Sequence, residues 1–289
     1  MFGERKSEIF DIIPEKYIPK TELIGKKEVE KALVKAEEIG YPLIAKPNIG
    51  ERGIWVKKID SDEEMRLYAG NCPVDFLLQE LIDFPLELGV FYVRLPDEPK
   101  GKVTSIVRKE FLKVVGDGKS TIHELLKNSN RALLTANLES DFLLREGNGI
   151  PEVGSTVLIE PIGNHSRGTQ FLNDNQQITP ALDEAIDKLA KQIPEFYFGR
   201  FDLRCRSYES LCQLQEFKIL ELNGAGSEPG HIYQPGFPLS RAYKEILWHL
   251  KMLSKVSHQN KKRGFSYWSF KKGVKNWRGH KKYNQILSG

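Results

Sequence analysis

The segment at positions 199–229, GRFDLRCRSYESLCQLQEFKILELNGAGSEP, constrains the fold of this chain more than any other stretch. Its alternation of polar and apolar residues predicts two strands joined by a loop. Arg200, Asp202 and Arg204 share one face of the first strand, and Glu221 and Asn223 share one face of the second. The opposite faces carry four residues expected in a core: Phe201, Leu203, Leu220 and Leu222.

The polar faces of these strands bring oxygen ligands together. Two carboxylates (Asp202, Glu221) and one amide (Asn223), with arginines beside them, suit Mg²⁺, a hard ion that completes its shell with water and phosphate. An ordinary hairpin with a charged, solvated face is the simpler interpretation of any single acid–x–amide pattern. Two features favour a site instead. The polar residues lie within otherwise apolar strands, and the second strand ends in a glycine-containing turn that allows close approach to backbone.

Composition places the chain among cytoplasmic proteins. Its 289 residues suffice for one large domain or two smaller ones. The chain contains no apolar run of the roughly 18–20 residues that span a bilayer, and its charged N-terminus lacks the apolar core of a signal peptide. Cys72, Cys205 and Cys212 show no metal-ligand spacing, which predicts a reduced compartment. Strand alternation places Cys205 on the core side.

Charge divides the chain into an acidic body and a basic tail. Residues 251–289 contain eleven Lys and Arg and no acid, so the net charge of +4 leaves −7 on residues 1–250. The tail interleaves these cations with Phe, Tyr and Trp. A solvated or self-docked tail, including one that covers a site, is the favoured interpretation. Peripheral contact with an anionic membrane or polymer comes next, and nucleic acid is the least favoured partner.

A second candidate site lies near the N-terminus. Lys46 ends a predicted strand over 43–46, and a loop over 47–53 with Gly50 and Gly53 follows. This arrangement fits phosphate binding, because the ammonium meets the phosphates while glycines admit backbone N–H groups. The sequence is not a Walker A motif, and a hairpin with a surface lysine remains the alternative.

Helices and strands mix along the chain without strict alternation, which predicts an α+β fold with helices on one side of the sheet. Helices are expected over 26–39, 61–70, 122–128, 180–193 and 239–253. Strands are expected over 54–59, 75–92 (with a turn between two strands), 102–115 and 153–162.

Three segments in this order resemble the ATP-grasp superfamily of ATP-dependent ligases: YPLIAKP, LLQELIDFPLELGV and GRFDLR…FKILELNGAGSEP. The resemblance covers residues 20–250. It implies an ATP-grasp fold in which two α+β lobes enclose the nucleotide. The implied division is an N-terminal segment over 1–20, an N-lobe over 21–80, a C-lobe over 81–250 and the basic tail over 251–289.

The resemblance also implies roles for individual residues. Lys46 is similar to the lysine that contacts the nucleotide phosphates, and the loop that closes over them includes Asn48, Gly50 and Gly53. The hinge whose backbone reads adenine comprises Glu80, Leu81, Ile82 and Asp83, and Glu87 matches the acid that holds the ribose. Lys6 is a weaker candidate for an earlier nucleotide-contacting lysine.

For the metal and the reaction, the resemblance assigns Asp202, Glu221 and Asn223 to one or two Mg²⁺ ions, with Mn²⁺ as an alternative. It places Arg200 near the reacting phosphate. The implied activity is ATP-dependent carboxylate–amine ligation through an acylphosphate. Candidates for binding the substrate carboxylate are Arg108, Lys109, Arg167 and Arg204.

The resemblance indicates the type of reaction more clearly than it indicates the substrates. The segment VVGDGKSTIHELL resembles cyanophycin synthetases, and the metal strands resemble D-alanine–D-alanine ligases. Such ligases carry a further N-terminal domain, whereas here the resemblance starts near residue 20. The second substrate, a small-molecule or peptide acid or amine, is therefore expected to be held by the remaining loops, by a second subunit of a homodimer or by a partner. A small-molecule kinase and a non-catalytic nucleotide-binding module remain alternatives.

Overall fold

The protein is described from a computed structural model covering residues 4–50, 53–128, 141–160, 163 and 168–288. The chain divides into two compact units. Unit 1 comprises Met1–Arg108 with Leu172–Gly289, and unit 2 comprises Lys109–Phe171. The predicted lobe boundaries at residues 80 and 250 follow a different division and stay a prediction.

Unit 1 contains a four-stranded antiparallel sheet in the order β1-β4-β2-β3. Its strands are β1 (Thr21–Ile24), β2 (Leu43–Pro47), β3 (Lys57–Ile59) and β4 (Phe76–Glu80). The associated helices are α1 (Lys6–Phe10), α2 (Val29–Ile39) and α3 (Asp62–Asn71). The Ser61 side chain caps α3 by accepting from the Glu64 N–H. Apolar residues of α2, α3 and the sheet form one core, which includes Leu33, Ala36 and Met65.

The second sheet of the fold has five strands in the order β11-β10-β5-β6-β9. They are β5 (Leu86–Val93), β6 (Lys102–Glu110), β9 (Gln170–Asn173), β10 (Phe198–Cys205) and β11 (Phe217–Asn223). Helices α6 (Pro180–Ala190) and α7 (Tyr208–Cys212) supply apolar residues to the core on one face of this sheet. Cys205 is buried in that core, as strand alternation predicts.

The prediction that helices cover only one side of the sheet is wrong. Helix α8 (Leu239–Lys262) places Trp248, Met252 and Leu253 against Phe91 and Phe198, whose side chains belong to the opposite face. The face of the sheet that carries Arg200 and Asp202 is apolar at one end, where Phe91 and Phe198 lie, and α8 covers that end. A last helix, α9 (Phe270–Ser288), follows. Among the described residues, no helix combines the length and apolar character needed to cross a bilayer.

Unit 2 is built on a two-stranded antiparallel sheet, β7 (Lys113–Val115) with β8 (Thr156–Leu158). Its helices are α4 (Ile122–Lys127) and α5 (Asp141–Glu146). Thr121 and Glu124 form a capping box at the start of α4, as the sequence indicates for Thr121.

Two strands of the fold are shorter than predicted. One is β8, and the other is β3, which starts only at Lys57 because Trp55 has a φ of 59° that no strand accommodates.

Two buried histidines make the stability of unit 1 sensitive to acid. His231 is hydrogen-bonded to Ser105 (Nδ1 to Oγ, 2.7 Å), and burial followed by repulsion from His249 lowers the pKa of His231 to about 4. The unfolded chain takes up a proton near pH 6.5 and the folded protein does not. The free energy of unfolding should therefore fall as the pH drops from 6.5 towards 4. Urea denaturation at pH 7 and 4.5 should show a smaller fall for His231→Gln than for wild type. Equal falls would contradict the assignment.

Candidate functional site

Strand register brings the predicted metal ligands together. Asp202 lies directly opposite Glu221, and Arg200 lies opposite Asn223. The Arg200 guanidinium donates to both Asp202 oxygens, at 2.7 Å from Nε and 3.1 Å from Nη2, and Asn223 Nδ2 donates to Asp202 Oδ2 at 3.2 Å. Burial alone would lower the pKa of Arg200, but the Asp202 carboxylate raises it, so Arg200 stays charged. Two acids, an amide and an arginine thus form one cluster.

A β-bulge in β11 sets the backbone of this cluster. After the Asp202–Glu221 pair, the register shifts so that Leu203 lies opposite Ile219. Ile219 therefore enters the core, and the prediction of a core position for Leu220 is wrong because a bulge interrupts alternation. The carbonyl of Leu220 accepts a hydrogen bond from Lys46 Nζ at 3.0 Å. The bulge thereby aims a backbone oxygen at the predicted phosphate-binding lysine.

Lys46 lies on β2 and is only 8% exposed. Besides the bulge carbonyl, its ammonium donates to Gln79 Oε1 at 2.8 Å, and Gln79 Nε2 donates to Thr21 Oγ1 at 2.9 Å. Burial lowers the pKa of Lys46 from 10.5 to about 7, although the carboxylate of Glu221 opposes this change. Lys46 is therefore a positioned cation whose protonation responds to its surroundings near neutral pH.

Lys6, the weakest candidate in the sequence, lies within the cluster. Its Nζ donates to Glu221 Oε1 at 2.6 Å and to the Gly50 carbonyl at 3.0 Å. Helix α1 is fixed there by Asn48, which accepts from the backbone N–H of Lys6 at 2.8 Å and of Ser7 at 3.0 Å. Asn48, predicted to contact nucleotide, thus holds the helix that presents Lys6. Lys6 therefore links Gly50, in the predicted phosphate-binding loop, to Glu221, a predicted metal ligand.

Gly89 is a site residue that the sequence reasoning missed. It lies opposite Asp202 on β5. A Cβ there would lie 3.2 Å from both Asp202 Oδ1 and Arg200 Cδ, and 2.8 Å from Val107 Cγ1. The only sequence signal is an isolated glycine within an apolar strand, which marks close approach by another group. Glycine at this position leaves room for the Arg200–Asp202 pair.

Substitution of Gly89 tests this steric role. Gly89→Ala should displace the Arg200–Asp202 pair and lower any nucleotide-dependent turnover by about tenfold or more, since small displacements of catalytic groups are costly. Gly89→Ala/Val107→Ala should recover thermal stability, because the 2.8 Å contact is relieved, but should not recover turnover. Melting temperature and turnover should be measured on both variants. Wild-type turnover in Gly89→Ala would show that this space is not needed.

The predicted hinge and ribose acid are tied together by Arg204. Its Nε donates to Glu87 Oε2 at 2.8 Å, and its Nη1 donates to the Ile82 carbonyl at 2.7 Å. Glu87 is buried, and the Glu80 carboxylate accepts from the Lys20 N–H at 3.2 Å. The sequence predicts that Arg204 binds a substrate carboxylate. In the structure Arg204 contacts two elements of the predicted nucleotide pocket, and its binding of a substrate carboxylate stays a prediction.

Of the other predicted substrate ligands, Arg108 lies away from this cluster. Arg108 pairs in register with Leu88, whose side chain lies in the core on the opposite face of the sheet, and its Nε donates to Asp174 at 3.0 Å. Lys109 belongs to unit 2, where its Nζ lies 6.0 Å from the ring centre of Phe171. Arg167 lies outside the described residues. Register therefore separates Arg108 from the face that carries Asp202.

The last turn of α9 packs beside the predicted phosphate loop. Trp55 Nε1 donates to the Leu287 carbonyl at 2.9 Å, and Tyr283 packs against the core of the four-stranded sheet. Leu287 is buried in the core of the four-stranded sheet. The end of the basic tail is thus docked on the protein itself. Leu287 also lies beside Gly50, because a Cβ added at that glycine would be 3.8 Å from Leu287 Cδ1, so α9 contacts the described part of this loop.

Leu287→Ala should destabilise unit 1 by about 2–3 kcal/mol, the usual cost of truncating a buried leucine. The exposed neighbour Ile286 provides the matched control, and Ile286→Ala should change stability by less than about 0.5 kcal/mol. Chemical denaturation of both variants measures the difference. Equal effects would mean that the last turn of α9 does not dock in solution.

The donor set fits a hard divalent ion together with an anionic ligand. No three His, Cys, Asp or Glu residues come close enough to hold a metal among the described residues. Two carboxylates and an amide leave several positions for water and phosphate, which is how Mg²⁺ is bound at phosphate sites. Directly opposed carboxylates repel each other. Lys6 and Arg200 each pair with one of them, and Lys46, when protonated, adds a third positive charge that favours an anion.

Comparison with solved structures identifies the fold. The chain superposes on D-alanine–D-alanine ligase from Bacillus anthracis with a TM-score of 0.50 and 12% identity, covering 91% of this chain and 69% of that one. The chain has the ATP-grasp fold. At this identity the likeness establishes the ATP-grasp architecture, and the chemistry rests on the side chains described above.

Two further solved structures align at lower TM-scores. The VanG D-Ala:D-Ser ligase from Enterococcus faecalis aligns at TM-score 0.48 and 16% identity, covering 88% of this chain and 61% of that one. A bifunctional glutathione synthetase from Pasteurella multocida aligns at 0.43 and 16%, covering 86% of this chain and 35% of that one. This chain therefore spans less than two thirds of either enzyme. No protein-family model matches the sequence, and a search of curated proteins found no match.

Proposed function

We propose that this ATP-grasp chain is an ATP-dependent ligase that joins a carboxylic acid to an amine. The observation that carries the proposal is the directly opposed Asp202–Glu221 pair, in which each carboxylate is hydrogen-bonded to a cation. Lys46, when protonated, adds a third positive charge beside it. This combination provides oxygen ligands for a metal ion and positive charge for phosphates within one cluster.

Nucleotide binding would use three groups of residues. Lys6, Lys46 and Arg200 would meet the phosphates, since each ammonium or guanidinium has several N–H donors. The backbone of residues 80–83 would meet adenine, and Glu87, held by Arg204, would meet the ribose. The loop over residues 48–53 would cover the phosphates. Asp202, Glu221 and Asn223 would hold one or two Mg²⁺ ions, or Mn²⁺, which when bound neutralise phosphate charge.

In the proposed reaction, a substrate carboxylate oxygen attacks the γ-phosphorus of ATP, the bond to the ADP oxygen breaks, and an acylphosphate forms. The amine then attacks the acyl carbon, loses a proton, and the carbon–oxygen bond breaks to release phosphate. The protein contributes positioning and charge stabilisation. It also excludes water, which would otherwise hydrolyse the acylphosphate. No covalent nucleophile is required, in accord with the burial of Cys205 in the core.

Mass spectrometry of a small-metabolite extract incubated with the protein and Mg-ATP tests the proposal, with Asp202→Asn as the control. The expected product has the mass of two metabolites minus one water, and it is absent from the control. A metabolite that gains only a phosphate would contradict ligation and indicate a kinase. Nucleotide binding without ADP formation, also with peptide acceptors, would overturn the enzymatic proposal in favour of a binding module.

A further inference from the structure

The outward face of helix α8 carries an apolar stripe. Four large side chains recur every three or four residues, and each is more than half exposed: Leu239, Tyr243, Leu247 and Leu250. This spacing places them on one side of the helix. The same helix buries His249 and Val256 on its other side. The stripe is therefore additional to the face that packs on the sheet.

Cationic side chains accompany this stripe. Arg241, Lys244, Lys251 and Lys255 are all exposed. The single acid in the sequence of α8 is Glu245, which is partly buried beside His249. The exposed face of α8 is thus apolar and positively charged at once, in the manner of a helix that lies in a membrane interface.

Aromatic residues continue this character beyond α8. Five of them are about half exposed or more: Phe265, Tyr267, Trp268, Phe270 and Trp277. Three lie under cations, with Lys261 Nζ 4.8 Å from the ring centre of Tyr267, Lys272 Nζ 5.1 Å from that of Trp268, and Lys281 Nζ 5.8 Å from that of Trp277. Trp and Tyr with adjacent Lys are typical of the headgroup region of a bilayer.

We propose that the α8 stripe and the aromatic residues 265–277 bind the surface of an anionic lipid membrane. Apolar side chains would enter the boundary between headgroups and acyl chains, and the cations would meet anionic headgroups. The eleven cations and absence of acids over residues 251–289 supply the complementary charge. The protein would lie on the membrane without crossing it.

Two other binding partners, a nucleic acid and a second copy of the chain, would match fewer of the side chains on this surface. A nucleic acid would use the cations and aromatic rings but would leave Leu239, Leu247 and Leu250 in water, because a phosphodiester backbone buries no leucine stripe. A second copy of the chain would cover the leucines but would bring like charges together. An anionic bilayer accommodates the leucines, the aromatics and the cations simultaneously.

Flotation of the full-length protein with vesicles tests the proposal. The protein should float with phosphatidylcholine vesicles containing 30% phosphatidylserine, and not with phosphatidylcholine alone. Binding should weaken as NaCl rises from 0.1 to 0.5 M. Leu247→Ser and Lys251→Glu should each reduce partitioning about tenfold. The matched controls are Leu67→Ser, since Leu67 is 59% exposed against 64% for Leu247, and Lys100→Glu at another exposed lysine. Quenching of tryptophan fluorescence by brominated lipids should accompany binding.

Failure to float with the anionic vesicles would overturn the proposal. Equal binding by Leu247→Ser, Lys251→Glu and their controls would overturn the assignment of this face. Displacement of the protein from vesicles by a single-stranded polynucleotide, with polynucleotide affinity unchanged in Leu247→Ser, would show that nucleic acid is the partner. A dimer in sedimentation that Leu247→Ser dissociates would identify a second copy as the occupant. All variants should keep the wild-type melting temperature, because the changed side chains are exposed.

Discussion

Asp202→Asn should reduce ATP turnover by about 10³-fold or more while the protein stays folded. The substitution keeps the size of the side chain and one oxygen that can accept from Arg200, so the cluster retains its packing. It removes the negative charge that would hold a divalent ion and that fixes the Arg200 guanidinium through two hydrogen bonds. A metal ion contributes several kcal/mol to transition-state stabilisation in phosphoryl transfer, which corresponds to this loss in rate.

Asp174→Asn is the matched control for that experiment. Asp174 is also a buried aspartate that pairs with an arginine, with Arg108 Nε at 3.0 Å, but the Arg108 side chain lies on the opposite face of the sheet from Asp202. Both substitutions weaken a buried ion pair, so both should lower the melting temperature by similar amounts. Only Asp202→Asn should lower turnover and raise the Mg²⁺ concentration needed for half-maximal rate. Parallel losses of turnover in the two variants would mean that Asp202 acts through stability alone.

Strand alternation predicted which residues come together at the candidate site, because alternation is kept wherever two strands pair without interruption. Arg200, Asp202, Glu221 and Asn223 all lie in the uninterrupted part of the β10–β11 ladder, and the structure places them together. The prediction failed for Leu220 because the bulge adds one residue to β11. Nothing in a run of apolar residues marks which one will lack a partner.

The sequence could not locate residues whose roles depend on contacts between distant segments. Lys6 reaches Glu221 only because Asn48 holds α1 in place. Arg204 lies on the predicted face but is engaged by Glu87, since the β5–β10 register sets these two residues opposite each other. Pairing between strands far apart in sequence determines both contacts, and a local pattern carries no information about it.

Lys46→Met should weaken nucleotide binding by about 10- to 100-fold, the usual range for a lost charge-assisted hydrogen bond. It should also abolish a proton uptake that accompanies binding in the wild type. With the pKa of Lys46 near 7, most of this side chain is neutral at pH 8 in the free protein. Phosphate groups would favour the charged form. Binding should therefore take up about one proton at pH 8 and close to none at pH 6. Calorimetry in buffers of different ionisation enthalpy measures this number.

Lys218→Met is the matched control, because Lys218 lies on the same strand as Glu221 and donates to the carbonyls of Lys16 and Ile18 without belonging to the cluster. Its proton uptake should equal that of the wild type.

The dependence of stability on pH provides a second check. The pKa of Lys46 is lower in the folded protein than the usual 10.5, so the unfolded chain binds more protons between pH 7 and 10.5. The free energy of unfolding should rise with pH across that window, and less so in Lys46→Met. Proton uptake that persists in Lys46→Met would assign the titration to another group and remove Lys46 from the phosphate site.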